Sequence, residues 1–257
     1  MPIILKQFTK VLNAGDLFAR DIAERYIGPV DAVVGDKELD CQNFVLVGSI
    51  LQWADQFSIV CGAGLKARNT QVYRKPSRIL AVRGPLTRRL LLQHGISCPE
   101  TYGDPGILAN EFLDSGASEI KFKFGVVPHY VDRKNPIIET SQSKDVSVID
   151  VGQRPEQLLS ELRQCEIVLS SSLHGIIFAH AVGRPALWIE LSDKVEGAGF
   201  KFCDYYHSLG VDPICVKIKG DIHFTELGPM ATFVDQERLR PSLRNALRSA
   251  RDLLNHA

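Results

Sequence analysis

The sequence predicts an α/β protein made of two Rossmann-like lobes with a central cleft. Short, continuous apolar runs end beside glycines, and helical patterns separate them, which is typical of a parallel sheet covered on both faces. The alternation is interrupted at a stretch of small and polar residues, 112–121, and then resumes. The 257 residues suffice for one large domain or two small ones. We therefore expect lobes over residues 1–115 and 116–257.

In the first half, a helical pattern over residues 17–26 follows a turn at residues 13–16. A second helix is predicted from Pro85 to about Gln93, with Gly95 as its stop. Proline favours the first turn of a helix, and glycine favours the position after the last turn. Buried strands are predicted over residues 44–48, 58–61 and 79–82.

In the second half, helices are predicted over residues 155–164 and 176–182. An amphipathic pattern over residues 236–255 predicts a closing helix, because its leucines and alanines recur at helical spacing. Strands are predicted over residues 124–127, 146–151, 167–169 and 186–190.

Composition and charge limit the partners of this chain. Thirty Lys and Arg balance thirty Asp and Glu, so the net charge of zero gives no global attraction to nucleic acid or anionic membranes. The six cysteines are scattered without metal-ligand spacing, which favours a reducing cytosol and no metal site. The first apolar run is too short for a signal peptide, and no apolar segment approaches the roughly 20 residues that span a bilayer. We expect a cytoplasmic protein without nucleic-acid partners.

The most informative segment is 170–175, in which three serines precede Leu173, His174 and Gly175. It joins a predicted strand to a predicted buried helix. Ligands of open α/β sheets bind at such turns, and the amino end of a helix attracts phosphate or carboxylate. We therefore predict an anion site that includes Ser171, Ser172, His174 and Gly175. The alternative is that a serine caps the helix and the histidine only packs.

Other predicted loops carry groups suited to a small anion. Arg83 ends a predicted strand just before a helix, where its guanidinium can bind phosphate or carboxylate; a surface salt bridge is the alternative. Gly62 and Gly64 bring the backbone close to a ligand or form only a tight turn. Asn13 and Asp16 bind the ligand or form a turn and helix cap.

Three more candidates follow later in the chain. Asp104 lies in a turn and binds a ligand or caps a helix, and His129 follows the predicted strand 124–127. Lys201 begins an amphipathic segment that lines the cleft or simply packs. The absence of a Walker loop, a His-Glu-x-x-His motif and a Gly-x-Ser-x-Gly motif argues against P-loop NTPases, zinc hydrolases and α/β-hydrolases.

Taken together, these segments resemble the polysaccharide pyruvyltransferase family, in particular ketal-pyruvate transferases of the xanthan and succinoglycan type. The resemblance covers roughly residues 13–210 and rests on the order and spacing of several short motifs. These motifs lie at residues 13–16, 48–52, 62–64, 83–87, 103–105, 128–130, 170–185 and 201–206.

The resemblance implies a GT-B-like fold and a specific reaction. Pyruvate passes from phosphoenolpyruvate to a terminal hexose of a bacterial exopolysaccharide repeat unit, where it forms a cyclic ketal without a metal or organic cofactor. The family assigns the residues matching Arg83 and His174 to the donor site. Many members carry an arginine two residues before the histidine, but this chain has Ser172 there, so that phosphate contact is missing. Lys201, Arg184 or the three serines would replace it.

The residues are consistent with this chemistry. C3 of phosphoenolpyruvate gains a proton and C2 is attacked by a hydroxyl, and histidine is suited to moving such protons. His174 is therefore the candidate for proton transfer, with His129 or Asp16 as its partner. Arg83 is the candidate for binding the donor anion.

Two other functions are compatible with the sequence: a nucleotide-sugar glycosyltransferase of the same fold, and a non-catalytic polysaccharide-assembly interaction protein. A lipid-linked oligosaccharide acceptor would place an enzyme at the inner face of the cytoplasmic membrane. The closing helix would then contact that surface; the alternative is a docked helix with a solvated basic face. The basic residues around its apolar stripe are Arg238, Arg240, Arg244, Arg248 and Arg251.

Overall fold

The computed structural model of the protein describes residues 2–113, 116 and 118–255, and within them two five-stranded parallel sheets. The first sheet has the order β2-β1-β3-β4-β5 and the second β10-β9-β8-β6-β7. The first five strands are β1 (Ile4–Lys6), β2 (Ala32–Val34), β3 (Asn43–Val45), β4 (Ser58–Cys61) and β5 (Arg78–Ala81). The second five are β6 (Phe122–Val127), β7 (Val146–Val148), β8 (Cys165–Ser170), β9 (Ala186–Glu190) and β10 (Cys215–Lys217).

Helices connect the strands and cover the sheets. The α-helices are α1 (Ala14–Tyr26), α2 (Pro85–Gln93), α3 (Pro136–Ser141), α4 (Pro155–Arg163), α5 (Leu173–Ala181), α6 (Phe200–Ser208), α7 (Phe224–Leu227) and α8 (Arg240–Asn255). Short 3₁₀ helices lie at Leu51–Trp53, Pro105–Phe112, Tyr130–Asp132 and Gly228–Met230. None of the described helices is long and apolar enough to cross a lipid bilayer.

The predicted α/β architecture of two lobes, each with a parallel sheet, is confirmed. The bounds of α2 match the prediction, and Gly95 follows it with a φ of 71°. Helix α1 begins three residues before the predicted start at residue 17, because the Asn13 side chain accepts the Gly15 N–H and caps the helix earlier. The prediction missed β1, β2 and β10, which are three residues long each.

The core joins the two lobes. Phe18 of α1 meets Phe178 of α5 edge to face, with ring centroids 5.3 Å apart. Both side chains are fully buried in a cluster that contains residues of both sheets. This contact packs a helix of the first lobe against a helix of the second, so that their amino ends lie at the same place.

The end of the chain returns to the first lobe. Helix α8 packs against β4, β5 and α1, and α6 packs against α2. The predicted second lobe, 116–257, therefore contributes these two helices to the surface of the first. The lobe boundary was predicted between residues 115 and 116, within the stretch 112–121. Residues 114, 115 and 117 of this stretch lie outside the described residues, as do residues 1, 256 and 257 at the ends of the chain.

Candidate active site

A cavity of about 210 Å³ lies between the lobes. It is lined from the first lobe by the start of α1 and the loop after β3, and from the second by the loops after β6 and β8 and by α6. The predicted site residues that line it are Asn13, Asp16, His129, Ser172, His174 and Lys201. The structure thus brings together residues up to 188 positions apart in sequence, from Asn13 to Lys201.

Two helices point their amino ends into this cavity. Asn13 caps α1, and Ser172 occupies the corresponding position of α5. Within the described residues, no side chain caps the amino end of α5. The partial positive charge of both helix dipoles therefore reaches the cavity, which favours a bound anion.

His174 lies where the two lobes meet. A Cβ atom at residue 15 would collide with its imidazole ring, so Gly15 is needed for this close approach of α1 and α5. On the other side, His174 Nε2 lies 3.7 Å from Oδ2 of Asp104, which is fully buried. The other Asp104 oxygen, Oδ1, accepts the Gly106 N–H and caps the following 3₁₀ helix. Asp104 was predicted to bind substrate, but it lies behind His174 and does not line the cavity.

Asp16 and Lys201 are ionisable groups in a desolvated cavity. Burial raises the pKa of Asp16 from 3.8 to about 6, against the opposing attraction of His174 and Lys201. Burial and the nearby Arg83 lower the pKa of Lys201 from 10.5 to about 8. Both shifts favour the neutral form, and both bring the group close to the pH range in which it can exchange protons.

His129 is held at the carboxyl end of β6. Its backbone N–H donates to Ser171 Oγ at 2.8 Å, and that hydroxyl donates to Asp132 at 3.0 Å. Ser171 thus fixes the histidine loop and does not itself line the cavity. His129 Nε2 lies 3.3 Å from Lys201 Nζ. Burial, with the charges of Lys201 and His174, lowers the pKa of His129 to about 3, so the ring is neutral at pH 7.

Arg83 does not line the cavity, contrary to its predicted contact with a donor anion. Its side chain is fully buried, and Nε donates to Asp204 Oδ2 at 3.0 Å. The two terminal nitrogens donate to Leu65 O and Ser49 Oγ, both at 2.7 Å. Only Ser49 reaches the cavity. Asp204, the ion-pair partner of Arg83, lies 121 residues later in the chain. The sequence around Arg83 therefore could not reveal that this guanidinium is already bound.

The three glycines that were predicted to bind the ligand, Gly62, Gly64 and Gly175, do not line the cavity. Each of them instead allows a close contact with a neighbouring side chain. A Cβ at residue 64 would collide with the guanidinium of Arg83, so Gly64 leaves room for that side chain. Side chains at Gly62 and Gly175 would collide with Pro105 and with Ser170 Oγ, respectively.

The prediction missed part of the cavity wall. Phe8, Trp53 and Tyr130 line it, as do Ser49, Gln52 and the exposed Lys66 and Lys194. Phe8 lies two residues after β1, a strand that the prediction did not contain. Recognition of that strand would have placed Phe8 at the same sheet edge as the other candidates, since carboxyl ends of parallel strands meet there.

A family model, a viral protein and a solved structure are similar to this chain. A family model described as polysaccharide pyruvyl transferase matches residues 58–193, more than half of the chain. An uncharacterized protein of Acanthamoeba polyphaga mimivirus is 28% identical over 243 residues, which are 90% of this chain and 84% of the relative. The structure of E. coli ADP-heptose lps heptosyltransferase II aligns over 100% of both chains with 12% identity and a TM-score of 0.35.

Proposed function

We propose a donor, an acceptor and residue roles for this chain, which belongs to the polysaccharide pyruvyl transferase family. The family makes it a transferase that modifies polysaccharide. The donor that we propose is phosphoenolpyruvate, and the acceptor is a terminal hexose of a bacterial exopolysaccharide repeat unit. The single observation that carries the proposal is the cavity in which two helix amino ends meet Lys201, His174 and Asp16.

Phosphoenolpyruvate carries a phosphate and a carboxylate, so its site must supply several positive charges or N–H donors. The amino ends of α1 and α5 and the ammonium group of Lys201 supply them in the cavity. Lys201 takes the place of the arginine that many relatives carry at the position of Ser172. Arg83 acts indirectly, since it fixes the hydroxyl of Ser49 at the cavity wall.

The proposed reaction moves protons in both directions. C3 of the donor gains a proton while an acceptor hydroxyl attacks C2 and loses its own proton. The C2–O bond to phosphate then breaks, and a second hydroxyl of the hexose attacks C2 and loses a proton to close the cyclic ketal. We assign proton delivery to His174, positioned by Asp104, and proton removal to Asp16. Neither a metal nor an organic cofactor takes part in this scheme.

A lipid-linked oligosaccharide is the proposed form of the acceptor, which places the enzyme at the inner face of the cytoplasmic membrane. A basic groove supports this contact: α8 contributes Arg244, Arg248 and Arg251, and α1 contributes Arg25. Glu111 pairs with Arg25 and Arg244. The remaining arginines of the groove are exposed and face solvent, where anionic lipid headgroups can approach.

A thermal-shift titration tests the donor. Phosphoenolpyruvate should raise the melting temperature of the wild type, and Lys201→Met should reduce that shift, whereas the exposed control Lys37→Met should not. Mass spectrometry of glycans incubated with the donor should detect the ketal. A shift with nucleotide sugars alone would support a glycosyltransferase instead. Donor binding without product from any acceptor would support a non-catalytic protein.

A further inference from the structure

Three aromatic rings form one wall of the cavity. Phe8 lies between Trp53 and Tyr130, at centroid distances of 6.2 Å and 6.1 Å. The ring planes deviate from parallel by only 26° and 25°, so the three rings form one stacked aromatic cluster. Phe8 and Trp53 belong to the first lobe and Tyr130 to the second. All three are half-buried and keep part of their surface open to the cavity.

A buried ion pair fixes this aromatic wall from behind. Lys6 is fully buried, and its ammonium donates to Asp55 Oδ2 at 2.6 Å and to the backbone oxygen of Trp53 at 2.7 Å. Asn43 and Ser58 donate to the other Asp55 oxygen, both at 3.1 Å. Lys6 is the last residue of β1 and lies two residues before Phe8. The pair thus ties the segment of Trp53 to the segment of Phe8 and holds the rings in place.

A polar edge borders the aromatic wall. Gln52 precedes Trp53 and lines the cavity, and its amide nitrogen donates to Ser49 O at 3.1 Å. Its buried Oε1 has no hydrogen-bond partner in the part of the chain that the structure describes. An unused acceptor of this kind is costly unless a bound molecule supplies a donor. A hydroxyl group beside the aromatic wall would do so.

We propose that the aromatic wall of Phe8, Trp53 and Tyr130 is the acceptor subsite and binds one hexose ring of the glycan. This inference rests on the proposed function. The C–H face of the sugar packs on the rings, which bury apolar surface with defined geometry, and one hydroxyl donates to Gln52 Oε1. Tyr130 lies near the proposed donor site: its ring centroid is 4.2 Å from that of His129, whose Nε2 lies 3.3 Å from Lys201 Nζ. A hexose on this wall therefore presents hydroxyls toward the proposed donor site.

Tryptophan fluorescence gives a direct binding test. The chain has two tryptophans, and Trp188 is buried against Phe202 with ring centroids 4.3 Å apart. In a Trp188→Phe background, Trp53 is the only tryptophan reporter. Titration with lactose, cellobiose and mannobiose should change its emission in a saturable way. Emission that responds to ADP but to none of these disaccharides would overturn the inference, because the wall would then bind a nucleobase.

Kinetics separate this subsite from the donor site. With the same disaccharides as acceptors, Phe8→Leu and Trp53→Leu should each raise the acceptor KM about tenfold. The KM for phosphoenolpyruvate and its thermal shift should stay unchanged, which also shows that the variants fold. Phe233→Leu is the matched control, since Phe233 is 54% exposed and lies outside the cavity wall.

The two proposals fail in different ways, because fluorescence needs no turnover. Glycan binding at Trp53 in a protein that neither binds nor uses phosphoenolpyruvate would refute the proposed donor and leave the subsite standing. Ketal formation with an unchanged acceptor KM in both ring variants would refute the subsite and leave the transferase standing.

Discussion

Asp16 is the residue whose replacement tests the candidate site most directly. The residue is 8% exposed, and burial raises the pKa of its carboxyl group from 3.8 to about 6. The folded protein therefore holds the Asp16 proton more tightly than the unfolded chain does, and the ionised carboxylate opposes folding above pH 6. At about 1.4 kcal/mol for each pKa unit, the shift corresponds to about 3 kcal/mol.

We expect Asp16→Asn to raise the free energy of unfolding at pH 8 by up to about 3 kcal/mol. The gain should shrink as the pH falls through 6 and vanish below 4, where Asp16 is protonated in both states. Chains of this size gain ~2–4 °C in Tm for each kcal/mol, so the largest expected rise is roughly 10 °C. Lys201 loses an attractive neighbour in the variant, which lowers the gain below this limit. Transfer activity should fall because the amide cannot exchange a proton.

Calorimetric melting of wild type and variant at pH 4, 6 and 8 measures this dependence. The exposed Asp36→Asn variant is the control for removal of one negative charge. If Asp16→Asn melts at or below the wild-type temperature at pH 8, burial does not raise the pKa of the Asp16 carboxyl group in the way that we infer. A gain of equal size at all three pH values would also refute the argument, since it would not depend on ionisation.

Three further predictions follow from the geometry of the site. Arg83→Ala leaves Asp204 buried without its ion-pair partner and should lower the free energy of unfolding by about 3–5 kcal/mol, which a lower Tm would show. An unchanged Tm together with lost donor binding would instead support a direct role for the arginine. His174→Ala should keep the fold and lower kcat by about 10²–10⁴, while Asp104→Asn should lower kcat less and leave the KM for phosphoenolpyruvate unchanged; full activity of His174→Ala would remove this histidine from the mechanism. Binding of phosphoenolpyruvate should be accompanied by proton uptake at pH 8, because a bound anion raises the pKa of Lys201 above its value of about 8 in the free protein. Calorimetry in buffers of different ionisation enthalpy measures this uptake, and proton release would contradict the prediction.

The sequence predicted most of the fold because the information is local. Pro85 and Gly95 mark both ends of α2, and the apolar run 58–61 coincides with β4. Strand β1 was missed since it is short and ends in Lys6, a residue type that is rarely buried. The burial of the Lys6 ammonium group depends on Asp55, which lies 49 residues away. No local pattern reveals such a partner.

In the candidate site, too, local sequence does not reveal which residues are already bound to distant partners. Arg83 and His174 both follow a strand and precede or begin a helix, so their sequence contexts predict similar roles. The structure separates them by what their polar atoms already bind. Each of the three guanidinium nitrogens of Arg83 has a protein partner, and the side chain does not line the cavity, whereas His174 lines the cavity and its Nε2 lies 3.7 Å from Asp104 Oδ2, beyond hydrogen-bond distance. A group whose polar atoms are all occupied can position its neighbours but has nothing left for a ligand.

This distinction divides the whole site into two classes of charged residue. The pairs Arg83–Asp204 and Lys6–Asp55 are buried beside the cavity, where they join distant segments and fix Ser49 and Trp53 at its wall. Asp16 instead lies within the cavity, and its raised pKa indicates that His174 and Lys201 only partly offset the cost of burying its charge. A buried charge that the protein compensates only in part destabilises the folded state, so such a group persists where a ligand or a reaction uses it. Proton transfer during pyruvyl transfer is the use that we propose for Asp16.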